Sequence, residues 1–101
     1  MEVVKSGPAE VTIYGEIKGV SDYLAVKKVV AEVLQDGIDS LTVKIPDSST
    51  ITSALIGYLL RLATEDKIGL AVRVGNSKLM KLFEVMNLME VFRVKTLEEV
   101  R

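Results

Sequence analysis

The feature that most constrains the fold is an alternation of short β-branched runs with segments of helical periodicity. Strands are predicted at residues 41–45 and 70–74, and each is followed by a polar turn and then by apolar residues at helical spacing. Strands that alternate with helices need crossover connections, which are right-handed and join parallel strands. The chain is therefore expected to form an α/β fold around a mostly parallel mixed sheet with βα repeats.

The two ends of the chain extend this pattern. Residues 1–5 and 10–17 are predicted as strands joined by a turn, so the N-terminal strand is free to be antiparallel. A last strand is expected at residues 91–94, followed by a short helical turn at 96–100. The predicted order is strand, strand, helix, and then strand and helix three more times.

The first and third helices are predicted from caps and from apolar spacing. The first begins at Ser21 and Asp22 and ends at Asp36 and Gly37, where glycine suits the left-handed conformation that follows many helices. The third follows a turn at residues 75–77. Its expected core residues, with Met86 assigned to the core by its spacing, are Leu79, Leu82, Phe83 and Met86.

Composition limits the classes of partner. A chain of 101 residues, 49% of them hydrophobic, is expected to form one domain over residues 1–101. The 13 basic and 14 acidic residues give a net charge of −1, which predicts no nucleic-acid partner. No apolar run approaches the roughly 20 residues that span a bilayer, and no signal peptide is recognisable. A cytoplasmic protein without a membrane partner is expected.

Catalytic and metal chemistry are disfavoured by residue type. The sequence contains no cysteine and no histidine, which removes thiol nucleophiles, thiolate metal sites and the commonest general base. There is no glycine-rich phosphate loop of the Walker or dinucleotide type. Carboxylates occur near several predicted element ends without a recognisable catalytic pairing. We therefore expect a protein that is not an enzyme and has no metal site and no cofactor.

The stretch from residue 45 to residue 60 is the best candidate for a functional site. Pro46 ends a predicted strand because it cannot donate to the sheet, and hydroxyl and acidic residues follow. A helix is predicted from Ser53 to about Glu65, so Thr52 or Ser53 is expected to be its N-cap. A hydroxyl then lies beside the positive end of a helix dipole at the carboxyl end of a strand, where ligands and modifications collect in open α/β sheets.

The order of elements and several segments resemble the STAS domains, a family that includes bacterial anti-sigma-factor antagonists and cytoplasmic modules of sulfate transporters. The resemblance runs from Gly15-Glu16-Ile17 to Phe92. Asp47, Ser49 and the segment 52–57 stand where the family has an Asp-Leu-Ser-like strand end followed by Asp-Ser-Ser-Gly-Leu-Gly. Residues 77–92 match the later family pattern of serine, basic and apolar residues that ends in an aromatic.

The resemblance implies a phosphorylation-switched protein-binding module. In such antagonists a kinase that is also the anti-sigma factor phosphorylates the first serine of the motif, which falls on Ser53. Four positions depart from the family pattern: Lys18, Thr52, Ala54 and Leu55. The implied function is sequestration of that anti-sigma factor and serine kinase by the unphosphorylated chain. The alternative is a STAS scaffold or transport-complex subunit that binds a protein without a phosphate cycle.

Residues of the predicted site also have simpler interpretations. The simpler interpretation of Ser53 is that it acts only as a helix cap, because serine and threonine are common caps. Apolar residues of the second helix either belong to the core or join a docking patch. The predicted partner-binding residues are Asp47, Ser49, Thr52, Ser53, Ile56, Tyr58 and Leu60. A nucleotide at the loop from Asp47 to Ser53 is a weaker prediction, since some relatives bind nucleotides.

Overall fold

A five-stranded sheet covered by helices forms the centre of the molecule in a computed structural model, which describes residues 1–35 and 37–100. The elements are β1 (Glu2–Gly7), β2 (Glu10–Tyr14), α1 (Gly19–Leu34), β3 (Ser40–Ile45), α2 (Ser53–Thr64), β4 (Gly69–Val74), α3 (Ser77–Val85), β5 (Lys95–Thr96) and a 3₁₀ helix (Leu97–Val100). Asp36, where the first helix was predicted to end, lies outside the described residues.

The strands lie in the sheet in their chain order, β1-β2-β3-β4-β5. The pair β1 and β2 is antiparallel, whereas each of the three following pairs is parallel and is connected through one helix. The predicted α/β class, with a mostly parallel mixed sheet and an antiparallel N-terminal strand, is confirmed.

The hydrophobic core lies between one face of the sheet and the three helices. Alternate residues of β3 and β4 are buried, and the register pairs Val43 with Val72 and Ile45 with Val74. Between them Lys44 and Arg73, which also pair in register, are partly exposed. The buried residues of α1, α2 and α3 belong to the same core cluster. The three parallel connections run in the same direction across the sheet, and crossovers of this kind are right-handed. The three helices therefore lie on the same face, with their N-termini at one edge of the sheet.

Helix α1 is the longest helix, with 16 residues. Val26, Val30 and Val33 face the core, at the spacing expected of one helical face. The helix begins earlier than predicted, because Lys18 rather than Ser21 occupies the N-cap position, and Asp22 Oδ2 accepts the Lys18 N–H at 2.7 Å. None of the helices in the described part of the chain has the length and apolar character needed to cross a membrane.

The C-terminal strand was predicted at the wrong residues. Residues 91–93 form a turn, and the strand β5 is the two-residue segment that follows it. Phe92 is buried edge-to-face against Phe83 of α3, with ring centroids 5.9 Å apart. The apolar run that suggested a strand is therefore a core-filling turn.

Two other boundaries differ from the prediction. Strand β2 ends at Tyr14 instead of residue 17, because Gly15 takes a positive φ of +83° and turns the chain away from the sheet. Met86, predicted as a core residue, is 43% exposed because α3 ends at Val85 and the chain turns there. Gly37 has the expected left-handed conformation after α1, with φ +74°.

Candidate functional site

Two loops that follow neighbouring parallel strands meet at the carboxyl edge of the sheet. The first joins β2 to α1 and comprises residues 15–18, and the second joins β3 to α2 and comprises residues 46–52. Because β2 and β3 are parallel neighbours, these loops emerge side by side. The predicted site residues Asp47, Ser49 and Thr52 lie in the second loop, and Ser53 opens the helix that follows it.

Ser48 is the buried link between the two loops. Its side chain is fully buried, and its Oγ accepts the backbone N–H of Ile17 at 2.9 Å. The same hydroxyl donates to the Thr50 carbonyl at 2.6 Å. A buried hydroxyl with both functions satisfied fixes the conformation of its loop, since losing either partner would leave a buried polar group unpaired.

Glu16 forms a second link, through its carboxylate. The backbone N–H of Ser49 donates to Oε1 at 3.0 Å, and the Ser49 hydroxyl lies 3.0 Å from Oε1 and 3.2 Å from Oε2. The Ser49 N–H, followed by the Ser49 hydroxyl, lowers the pKa of Glu16, because these donors favour the charged carboxylate. Ser49 is thus committed to a bond within the molecule.

Asp47 attaches the second loop at a third point. Its Oδ2 accepts the Gly15 backbone N–H at 3.0 Å, although the residue is exposed. Its carbonyl oxygen lies 3.4 Å from Nδ2 of Asn76, the N-cap of α3. The loops after β2, β3 and β4 are therefore connected into one polar edge.

Thr52, rather than Ser53, is the N-cap of α2. The Thr52 hydroxyl accepts the Leu55 N–H at 3.2 Å. Ser53 is consequently the first helical residue, and its side chain is exposed. Within residues 1–35 and 37–100, no group hydrogen-bonds to the Ser53 hydroxyl. Capping by Ser53, the simpler interpretation of this serine, is therefore wrong.

The apolar residues predicted to join the docking patch occupy different environments. Ile56 is only 7% exposed and belongs to the core cluster, so it offers little surface to a partner. Leu60 is half-buried and packs against the core. Tyr58 is also half-buried, with its ring 6.4 Å from that of Tyr23 on α1, in an edge-to-face arrangement.

Sequence reasoning missed exposed apolar residues on α1. Val20 is 68% exposed and Leu24 is 53% exposed, and both lie on the first two turns of the helix, at the same end as the site loops. Their spacing of four residues was a usable signal, since such residues share a helix face. This signal was overlooked because the apolar residues that face the core give the same helix a stronger pattern.

Two surface cavities of about 340 Å³ each lie elsewhere. One is at the carboxyl end of β4, where Asn76, Ser77 and Thr96 contribute to its lining. The other contains Lys67, Glu90 and Arg93. Neither includes a residue of the loop from Asp47 to Ser53, so these cavities give no support to a nucleotide there.

Comparisons with known protein families, with curated proteins and with solved structures found no match.

Proposed function

We propose that this chain is a STAS-like anti-sigma-factor antagonist, a protein-binding module without enzymatic activity that is switched by phosphorylation of Ser53. Unphosphorylated, it sequesters an anti-sigma factor that is also a serine kinase. The observation that carries the proposal is the position of Ser53: its exposed hydroxyl lies on the first turn of α2, at the carboxyl edge of the sheet, without a hydrogen bond to any described residue.

The contrast with the neighbouring hydroxyls supports Ser53 as the modified residue. Ser48 is buried, the Ser49 hydroxyl is bonded to Glu16, and Thr52 caps the helix. A kinase has to bring the acceptor oxygen into line with the γ-phosphate, which requires a hydroxyl that protrudes. Ser53 meets this requirement without breaking an internal bond.

The order of elements supports the assignment to the STAS family. A strand hairpin followed by three helix-and-strand units and a last helical turn is the order on which the resemblance rests. The loop that carries Asp47 and Ser49 and the start of α2 stand at the edge where the resemblance places the modified serine.

A phosphate at this position would act on the partner rather than on the fold. It would add about −1.5 to −2 charges at the positive end of the α2 dipole, which is a favourable location. A partner covering the start of α2 would have to desolvate that charge. A loss of about 2.7 kcal/mol weakens binding roughly a hundredfold, so a desolvation cost of that size would release the complex.

The experiment is mass spectrometry of the chain after incubation with ATP and a candidate anti-sigma factor of the histidine-kinase-like type. We expect one phosphate on Ser53 and no phosphate in Ser53→Ala. The matched control is Ser49→Ala, at a hydroxyl that is bonded to Glu16 in the same loop region; this variant should still be phosphorylated on Ser53. Complex formation measured in parallel should be lost in Ser53→Asp. A phosphate on another residue contradicts the proposal.

A second candidate is a STAS scaffold or transport-complex subunit that binds its partner without phosphorylation. The observation that favours it is the use of Thr52, which stands where the family has Asp, as an internal cap bonded to Leu55. Together with the Glu16 and Ser48 links, it gives a site loop that is already rigid. A tight complex that carries no phosphate and is unaffected by Ser53→Asp would identify this function instead.

A further inference from the structure

The first turns of α1 and α2 form a surface with apolar, aromatic and basic residues. We call it the α1–α2 patch. It comprises Val20, Tyr23, Leu24 and Lys27 on α1, and Ala54, Gly57, Tyr58 and Arg61 on α2. Val20 and Leu24 are among the most exposed large hydrophobic residues of the described chain. Exposed apolar residues that cluster beside aromatic rings mark protein contacts more often than isolated ones do.

The two tyrosines connect the helices beneath this patch. Their rings are 6.4 Å apart, and the Lys27 ammonium lies 5.9 Å from the Tyr23 ring centroid and 5.7 Å from that of Tyr58. Tyr58 is half-buried, and this burial raises the pKa of its hydroxyl. The tyrosines and Lys27 therefore form an ordered base on which a partner could pack.

The α2 side of the patch carries small, exposed residues. Ala54 and Gly57 are exposed, and a Cβ added to Gly57 would meet no atom within 4 Å. Small residues allow the backbone of a second helix to approach closely. Ser53, Gly57 and Arg61 follow one another at four-residue spacing, so they lie along one side of α2. The proposed phosphorylation site is thus at the end of the same side.

The charges of the patch indicate what kind of partner it fits. Lys27 and Arg61 are the charged residues of the patch, and in the described part of the chain neither has a carboxylate within ion-pair distance. Besides burial, the carboxylate of Asp66 raises the pKa of the Tyr58 hydroxyl, so an acid lies near the patch just beyond the end of α2. Lys27, over the two tyrosine rings, and Arg61 are cations without an ion pair to a described residue; with the exposed valine and leucine they are complementary to a surface with apolar and acidic residues. An arginine or lysine at the rim of an aromatic and apolar centre is a common composition for protein interfaces.

We infer that the α1–α2 patch docks an acidic amphipathic helix of the partner protein. Apolar residues of that helix pack on Val20, Leu24 and Tyr58, and its flanking carboxylates pair with Lys27 and Arg61. This inference rests on the proposed function and deepens it, because phosphorylated Ser53 would then repel an acidic helix in addition to being costly to desolvate. Phosphorylation would then weaken binding in two ways, by repulsion between like charges and by the cost of desolvating the phosphate.

The test is an NMR titration of the ¹⁵N-labelled chain with two designed helical peptides. They share one leucine face, and their flanking positions carry glutamate in the first peptide and lysine in the second. We expect the glutamate peptide to shift amide signals of the α1–α2 patch and the lysine peptide to bind more weakly. Arg61→Glu should lower the affinity for the glutamate peptide roughly two- to fivefold at low salt, as expected for an exposed charge pair.

Matched variants separate the patch from general effects of charge and hydrophobicity. Lys78→Glu reverses an exposed charge on α3 and should leave the affinity unchanged. Val20→Ser should weaken binding, whereas Val85→Ser, at a valine 72% exposed on α3, should not. Ser53→Glu should lower the affinity for the glutamate peptide and leave the affinity for the lysine peptide unchanged. Amide spectra of the free variants report whether each is folded.

Several outcomes would overturn the inference. These are equal binding of the two peptides, shifts centred outside the patch, equal effects of Val20→Ser and Val85→Ser, or no binding of either peptide. The titration uses unmodified protein and no kinase. Its failure therefore leaves the phosphorylation of Ser53 standing, and failure of the kinase experiment leaves the docking result standing.

Discussion

Gly75 lies directly against Pro46, and a Cβ added to Gly75 would fall 2.9 Å from the Pro46 Cα, with the Pro46 carbonyl oxygen closer still. The Gly75 backbone N–H also donates to the Ile45 carbonyl at 2.9 Å. The chain thus leaves β3 and β4 in contact, backbone against backbone. The loop that carries the site residues starts at Pro46. Its position therefore depends on residue 75 being a glycine, which has no Cβ.

Gly75→Ala is expected to destabilise the protein, because the new methyl group meets backbone atoms that have no rotamer to adjust. Overpacking of this kind typically costs about 1–3 kcal/mol. The free energy of unfolding, measured by urea denaturation, checks the value. The control is Gly57→Ala on α2, where a Cβ meets no atom within 4 Å. There alanine should stabilise the protein, by roughly 0.5–1 kcal/mol, through its better helix propensity.

Ser48→Ala is expected to reduce the free energy of unfolding by about 1–3 kcal/mol, because the buried Ile17 N–H loses its acceptor. Ser53→Ala serves as the matched control. The same change at an exposed hydroxyl that no described group bonds should stay within about 0.5 kcal/mol of the unmodified chain. Equal losses in urea denaturation of the two variants would show that Ser48 is not a structural link.

The fold was predictable because its signals are local. The runs at 41–45 and 70–74 are strands with little change of boundary, and the cap of α2 was narrowed to two residues that include the right one, Thr52. A cap and a strand are each specified by a few adjacent residues. The prediction of the last strand was wrong because Phe92 lies in a turn whose position depends on a distant contact: its side chain packs beside Phe83, and its carbonyl accepts the Val72 N–H of β4.

The internal bonds of the site were not predictable, because they join residues far apart in the sequence. Ser48 bonds Ile17 across 31 positions and Ser49 bonds Glu16 across 33. Periodicity places two loops at one edge but does not select which hydroxyl turns inward. The sequence therefore indicated a row of similar serines and threonines, whereas the structure separates buried Ser48, bonded Ser49 and exposed Ser53.

The lowered pKa of Glu16 predicts an acid-sensitive contribution to stability. A carboxyl with a depressed pKa in the folded state stabilises the fold fully above its unfolded pKa, about 4.3 for glutamate, and loses this contribution as the pH falls through its folded pKa. Glu16→Gln should therefore lower the free energy of unfolding at pH 7 and make it fall less steeply below about pH 4. Urea denaturation between these pH values measures both effects.

The control for Glu16→Gln is Glu84→Gln, at an exposed glutamate on α3 whose carboxylate has no hydrogen bond to a described residue. It should leave the stability at pH 7 and its dependence on pH close to those of the unmodified chain. If both variants change the free energy of unfolding below about pH 4 by the same amount, the effect comes from net charge and not from the hydrogen bonds between Glu16 and Ser49.

Substitutions of Thr52 separate the contribution of the helix cap from that of the threonine methyl group. Thr52→Ala removes the acceptor for the Leu55 N–H and should cost about 1 kcal/mol, the usual value for a lost N-cap. Thr52→Asp keeps an acceptor at the cap and adds a negative charge to a helix without an acid in its first turn. It should be at least as stable as the unmodified chain at low salt, with a gain of roughly 0.3–1 kcal/mol that shrinks as salt screens the dipole. Thr52→Ser, which retains the hydroxyl, is the control and should be nearly neutral. If Thr52→Asp proves as unstable as Thr52→Ala, the position requires the threonine methyl group, and the cap alone does not explain what Thr52 contributes to stability.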